Sequence, residues 1–129
     1  MLRVESKPGQ IEHMFNFEKL DVWHKGMAFA DSVYSLTRAF PADERFGLTN
    51  QMRRAVVSVP SNIAEGSSRM SQSDYGRFIE IGTGSLFEVV SDAFIAKRQN
   101  LLTVDNFSLI YRSTEELSRM LSGLRRSLQ

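Results

Sequence analysis

The 129-residue chain has no cysteine, three prolines and only two histidines. Without cysteine there are no disulfides, thiolate metal sites or cysteine nucleophiles. Two histidines leave little for imidazole-based acid–base chemistry. No sign of charge dominates either: sixteen Lys and Arg oppose fifteen Asp and Glu, a formal net charge of +1. That balance excludes nucleic-acid binding through bulk charge and leaves open only binding through a local patch. No run approaches the ~18 apolar residues of a membrane-spanning helix, so no membrane contact is expected. The opening stretch places Arg3, Glu5, Lys7 and Glu12 around Pro8-Gly9. It lacks the apolar core of roughly 7–15 residues found in a secretory signal. Residues 1–15 are therefore expected to be a mobile leader, with Met14 an alternative start, and the expected location is cytoplasmic.

What the chain does have is helical periodicity. Four segments are predicted, at about 17–39, 43–65, 72–100 and 104–129, separated by short connections that favour antiparallel neighbours. Gly66 is read as the left-handed residue just past the second helix. Ser71, with Asp74 three residues on, starts the third, and Thr103 caps the fourth. In the last segment Phe107, Ile110, Thr114, Leu117, Leu121, Leu124 and Leu128 follow alternating steps of three and four. In the third, Tyr75, Phe78, Gly82, Ser85, Val89 and Ala96 do nearly the same, widened by Ile79, Leu86, Val90 and Ala93. The fold expected is an all-α, antiparallel up-down four-helix bundle over 16–129, bent at Pro60, which lies inside the second helix and removes one backbone hydrogen bond there.

The first helix carries two apolar stripes. Leu20, Trp23, Met27, Ala30, Tyr34 and Thr37 form one; Val22, Phe29, Val33, Leu36 and Phe40 form the other. One stripe satisfies one core, so the second is either a widened core face or an oligomer interface, with Val22, Phe29, Val33 and Leu36 as its candidates.

The second helix pairs its apolar face (Leu48, Met52, Val56, Val59, Ile63) with a polar line: Gln51, Arg54, Ser58, Asn62 and Glu65. The third helix offers Ser85, Glu88 and Asp92 at matching spacing. Arg54 or Arg53 is placed to meet Glu88, and Asn62 to bond Ser85. A polar network of Arg54, Ser58, Asn62, Glu65, Ser85 and Glu88 that fixes helix register is the leading reading. A ligand or nucleic-acid contact is the second. Catalysis comes last. Neither His13 nor His24 stands in the Glu-x-x-His relation of a di-iron bundle, and no acid and histidine accompany Ser58 or Ser61 to form a triad. Gly82-Thr83-Gly84 lies within a helix with no preceding strand, so it is no dinucleotide fingerprint. No catalytic residue, metal or cofactor is expected.

These segments carry a family resemblance. The runs Phe17-Glu18-Lys19-Leu20-Asp21-Val22-Trp23, Glu44-Arg45-Phe46-Gly47-Leu48-Thr49, Gln51-Met52-Arg53-Arg54-Ala55 and Gly84-Ser85-Leu86-Phe87-Glu88 resemble the 23S rRNA intervening-sequence proteins. The most specific element is Ser58-Val59-Pro60-Ser61-Asn62-Ile63-Ala64-Glu65-Gly66. The resemblance implies an antiparallel four-helix bundle that assembles as a ring-shaped homopentamer, with members often encoded inside insertions in bacterial 23S rRNA genes. It also implies a fold similar to the accessory variability protein of diversity-generating retroelements, a basic pentamer that engages a reverse transcriptase and its RNA. Two functions follow as expectations. The first is a non-enzymatic, self-associating scaffold that binds a partner. The alternative is an RNA-associated accessory factor, with ribosomal RNA or a reverse transcriptase as partner, acting through local arginines, with Arg53, Arg125 and Arg126 as candidate contacts.

Overall fold

Local chemistry decides where each expected helix begins and ends. The structure, a computed structural model, describes residues 15–129, so the expected leader lies outside the described residues except for Phe15. Four helices are present: α1 (Asp21–Thr37), α2 (Leu48–Ser67), α3 (Gln72–Arg98) and α4 (Val104–Ser127), with 3-10 turns at Asn16–Lys19 and Ala42–Glu44. No strand occurs among the described residues. The first helix starts later than its periodicity suggests because Leu20 is extended (φ −92°, ψ 121°). The residues before it form a separate turn whose Phe17 ring packs 5.0 Å from Trp23. The second also starts late: Pro41 leads into the short turn, and Gly47 (φ −105°, ψ −114°) precedes α2.

The two expected caps are made. Ser71 Oγ accepts from the Asp74 amide at 3.0 Å, and Thr103 Oγ1 from the Asn106 amide at 3.1 Å, each satisfying a donor that a helix N-terminus leaves open. α3 ends in a left-handed Asn100 (φ 62°). There the Asn100 amide bonds the Lys97 carbonyl and the Leu101 amide bonds the Ala96 carbonyl, the paired closure of a Schellman motif.

Gly66 does not act as a helix terminator. It lies buried inside α2, where an added Cβ would sit 2.9 Å from Tyr75 Cδ1 and 3.0 Å from Phe78 Cβ. It is there so that α2 and α3 can approach closely. The α2–α3 contacts run in opposite directions along the chain: Ser58 meets Ser85, Asn62 meets Gly82, and Gly66 meets Phe78. Pro60 is buried within α2, which continues past it, and faces Gly26 of α1 at 3.5 Å from where a Cβ would lie. Lys25 and Glu116 join α1 to α4 at 2.7 Å, and Arg125 and Glu80 join α4 to α3 at 3.0 Å.

Between the four helices Val33, Met52, Val56, Val59, Ile63, Leu86, Val89, Ile110 and Leu121 are fully buried. Burying an aliphatic side chain of this size stabilises by roughly 1.5–3 kcal/mol. The same core takes most of the second α1 stripe: Val22, Phe29 and Val33 are buried, and the half-buried Leu36 packs against them. The oligomer interface expected at Val22, Phe29, Val33 and Leu36 is thus corrected. α1 touches α2, α4 and the preceding turn, and these neighbours use both of its stripes.

Candidate functional site

The polar line between α2 and α3 is half buried, and its bonds differ in part from those its spacing suggests. Asn62 Nδ2 donates to the Ser58 carbonyl at 2.7 Å and to Ser58 Oγ at 2.9 Å. Ser85 Oγ lies 2.8 Å from Ser58 Oγ. Asn62 therefore reaches Ser85 through Ser58 rather than directly, and this three-residue chain is the whole hydrogen-bonded part of the expected network. Glu65 turns away to solvent and lies 3.9 Å from Arg69. Arg54 and Glu88 are both exposed, and neither a hydrogen bond nor an ion pair joins them. They line opposite sides of one open groove of about 390 Å³, shared with Asn50, Gln51, Ala55, Ser58 and Ser85. The groove gathers amides, hydroxyls and one charge of each sign around an open space.

Arg53 does not face the groove. Its guanidinium lies 4.7 Å from the Tyr34 ring, and its Nε donates to Thr37 Oγ1 at 2.9 Å, clamping α2 to α1. Thr37 in turn donates to the Val33 carbonyl at 2.7 Å. Arg125 is likewise occupied, with its Nε on Glu80 and its guanidinium over Gly76, where a Cβ would approach to 2.8 Å. Of the three arginines expected to touch nucleic acid, only Arg126 is exposed and without a hydrogen bond or ion pair. Arg112 and Arg119 share that state, and with Arg126 they stand at seven-residue intervals along α4.

Three features escaped the sequence reading. The first is the burial of Asp92, placed above in the α3 polar line: it is only 6% exposed, and its Oδ2 has no hydrogen-bond partner. Burial raises its pKa above the usual aspartate value, and the Glu88 charge one turn away raises it further. The second is the outer face of α3, where Ile81, Phe87, Phe94 and Ile95 are all exposed. Phe94 continues across to α4 in a cluster with Phe107 (4.8 Å) and the exposed Tyr111 (6.3 Å). The third is the clamp made by Arg53. The α3 face had a signal in the sequence, since these apolar residues fall outside the helix's inward stripe.

The groove offers hydrogen-bonding groups of several kinds. Its two hydroxyls bond each other and the Asn62 amide, and the one carboxylate in the lining, Glu88, bonds neither of them. His24 lies elsewhere, its Nε2 donating to the Glu18 carbonyl at 2.6 Å. His13 lies outside the described residues. Among the described residues no group of three or more His, Cys, Asp or Glu is placed to hold a metal ion. No helix among the described residues is long and apolar enough to cross a membrane.

Four helices around one core, with a half-buried polar seam between the second and third, define a protein of the four-helix-bundle class. The chain belongs to the 23S rRNA-intervening sequence protein family, whose family model matches residues 18–123. A solved structure from Bacteroides thetaiotaomicron, described as a protein of unknown function from the S23 ribosomal protein family, has the same fold with a TM-score of 0.76. It is 20% identical, and the match covers 81% of this chain and 95% of that one. No curated protein matches the chain.

Proposed function

We propose that the protein is a non-enzymatic scaffold that self-associates, with a homopentamer as the favoured state, and offers the assembled surface to a partner. The observation that carries this reading is the outer face of α3. Ile81, Phe87, Phe94 and Ile95 are each between 44 and 55% exposed in the single chain. They fall on two lines about 100° apart on the helix, Ile81–Ile95 and Phe87–Phe94, spanning ~21 Å at 1.5 Å per residue. Four large apolar side chains exposed on one helix, flanking Gly84, Ser91 and Arg98, favour an interaction site there. The interface thus moves from the α1 stripe, which the core uses, to α3. Light scattering at micromolar concentration tests it: the expected mass is a multiple of 14.7 kDa, five-fold for the pentamer. Phe87→Glu combined with Phe94→Glu is expected to return the mass to one chain with the helical circular dichroism unchanged. A monomeric wild type overturns the reading.

A second reading, an RNA-associated accessory factor with ribosomal RNA or a reverse transcriptase as partner, is favoured by the exposed line Arg112, Arg119 and Arg126. Three cations per chain support only weak binding, since each phosphate contact adds about 0.7–0.9 to the salt slope. Titration of structured and single-stranded RNA at low and physiological salt is expected to show micromolar, salt-sensitive and sequence-indifferent binding. Tight, sequence-selective binding at physiological salt would put this reading first.

A further inference from the structure

The groove between α2 and α3 keeps two opposite charges apart. Arg54 and Glu88 line it from the two helices, both exposed, and neither side chain makes a hydrogen bond or an ion pair. The helix register brings them to the same level. Ser58 meets Ser85 and the two helices run antiparallel, so Ala55 falls level with Glu88 and Gln51 level with Asp92. The open space that these residues border is about 390 Å³. Closing the two charges directly on each other gains little, because an exposed pair gives up hydration and side-chain freedom for a screened attraction.

Much of the remaining lining is equally uncommitted. The side-chain amides of Asn50 and Gln51 are exposed and make no hydrogen bond. Each offers both donors and an acceptor. Level with Gln51, Asp92 is 6% exposed, and its Oδ2 is buried without a donor. The α3 side thus carries acceptors in want of donors, and Arg54 on the α2 side carries donors in want of acceptors. Ser58 and Ser85, by contrast, are joined to each other, and Ser58 to Asn62, which holds the two helices in register.

Such an arrangement selects by sign. A lone anion pairing with Arg54 meets the Glu88 carboxylate across the groove, and a lone cation pairing with Glu88 meets the Arg54 guanidinium. A small molecule with one charge of each sign is attracted at both ends, and its two ion contacts share one loss of translational freedom. Ala55 is the one apolar residue in the lining, so little area is offered to a large apolar side chain. We infer that this groove is a binding site for a small zwitterion of the amino-acid class, its carboxylate on Arg54 and its ammonium on Glu88. The Asn50 and Gln51 amides complete the polar contacts. The site lies within one chain and depends on neither the self-association nor the RNA binding proposed above.

The test is a ligand-observed NMR titration with glycine, β-alanine and 4-aminobutanoate, which step the distance between the two charges. Acetate and methylammonium serve as the separate halves. At least one zwitterion is expected to bind saturably at about millimolar concentration, and about five-fold or more tightly than either half. Affinity is expected to peak at one charge separation. Arg54→Gln and Glu88→Gln are each expected to weaken that ligand about five-fold or more, and Arg119→Gln on α4 to leave it unchanged. The substituted side chains are exposed, so the helical circular dichroism is expected to stay the same in every variant. No saturable binding by any of the zwitterions overturns the inference. So does binding that one half reproduces, or that only one of the two groove variants weakens, since a single charge then suffices. Binding that survives both groove variants places the ligand elsewhere and also overturns it.

Discussion

Two of the buried glycines, Gly66 and Gly26, carry opposite predictions for the same substitution. Both lie within helices, where alanine is favoured over glycine by about 0.8–1 kcal/mol on backbone grounds. At Gly26 the new Cβ would find Pro60 Cβ at 3.5 Å and Cδ at 3.6 Å, ordinary van der Waals contact, so the helix preference is expected to come through. Gly26→Ala should stabilise by roughly 0.5–1 kcal/mol. At Gly66 the new Cβ would meet Tyr75 Cδ1 at 2.9 Å, Phe78 Cβ at 3.0 Å and the Tyr75 carbonyl oxygen at 3.2 Å. The tyrosine ring can turn, but a Cβ and a carbonyl move only with α3 itself. Restoring carbon contacts to ~3.5–4.0 Å requires the helices to part by about half an ångström. Overpacking of this kind costs typically 1–3 kcal/mol, against which the helix preference returns at most about 1. Gly66→Ala should therefore lose about 1–2 kcal/mol. Urea denaturation at fixed protein concentration measures both, since association would otherwise shift the midpoints. Gly66→Ala as stable as wild type would refute the close-approach account of this glycine. Gly26→Ala less stable than wild type by more than about 0.5 kcal/mol would show that the α1–α2 crossing is tighter than its distances indicate.

Three further outcomes follow from the same geometry. Arg53→Met keeps the stem but loses the Thr37 hydrogen bond and the cation over Tyr34, and urea unfolding is expected to show a loss of about 1–2 kcal/mol. Asn100→Gly relieves a left-handed backbone at φ 62° and should gain a few tenths of a kcal/mol in the same assay, whereas Asn100→Val should cost about 1 or more. Asp92 has a folded pKa raised by burial, so the folded state holds this proton more tightly than the unfolded state. Its penalty is present above the folded pKa, fades as pH falls toward the ordinary aspartate value of 3.8, and is absent below it. Asp92→Ala is accordingly expected to stabilise at pH 7 by about 1 kcal/mol, the relief of an unpartnered buried oxygen less the small cavity left behind. Its advantage should shrink on acidification; an advantage that grows with acid would refute the assigned sign.

What could be read from the sequence was what depends on near neighbours. Ser71 and Thr103 were identifiable as caps because a cap is made within three residues. The inward faces of α2, α3 and α4 were identifiable because helical spacing decides which residues share a side. Spacing does not say how many neighbours a face will meet. On α1 a surplus stripe suggested an external partner, yet the core absorbed it because three elements pack around that helix. On α3 the inward stripe looked complete, and the true surplus was Ile81, Phe87, Phe94 and Ile95, which the bundle leaves outside. Arg53 and Arg54 show the same limit at the scale of one residue. Adjacent positions on a helix are separated by about 100°, so one guanidinium reaches α1 while the other lines the α2–α3 groove. No local rule distinguishes them without knowing where α1 lies.

The most specific motif in the chain, Ser58 through Gly66, can be accounted for almost entirely by packing. Ser58 and Asn62 make the hydrogen bonds that reach Ser85. Val59 and Ile63 are fully buried, Pro60 lies against Gly26, and Gly66 admits Tyr75 and Phe78. Only Ser61 and Glu65 face solvent, and Glu65 is within reach of Arg69. A motif whose members are used up in joining α1, α2 and α3 specifies the shape of the bundle and leaves little side-chain chemistry for a substrate. Groups not used in this way lie elsewhere: the apolar line with Glu88 on α3, and the arginine line on α4. On the scaffold reading proposed above, these surfaces are where a partner would bind. A substitution inside the motif should be read first as a change in folding, and a substitution at Phe87 or Phe94 as a change in association.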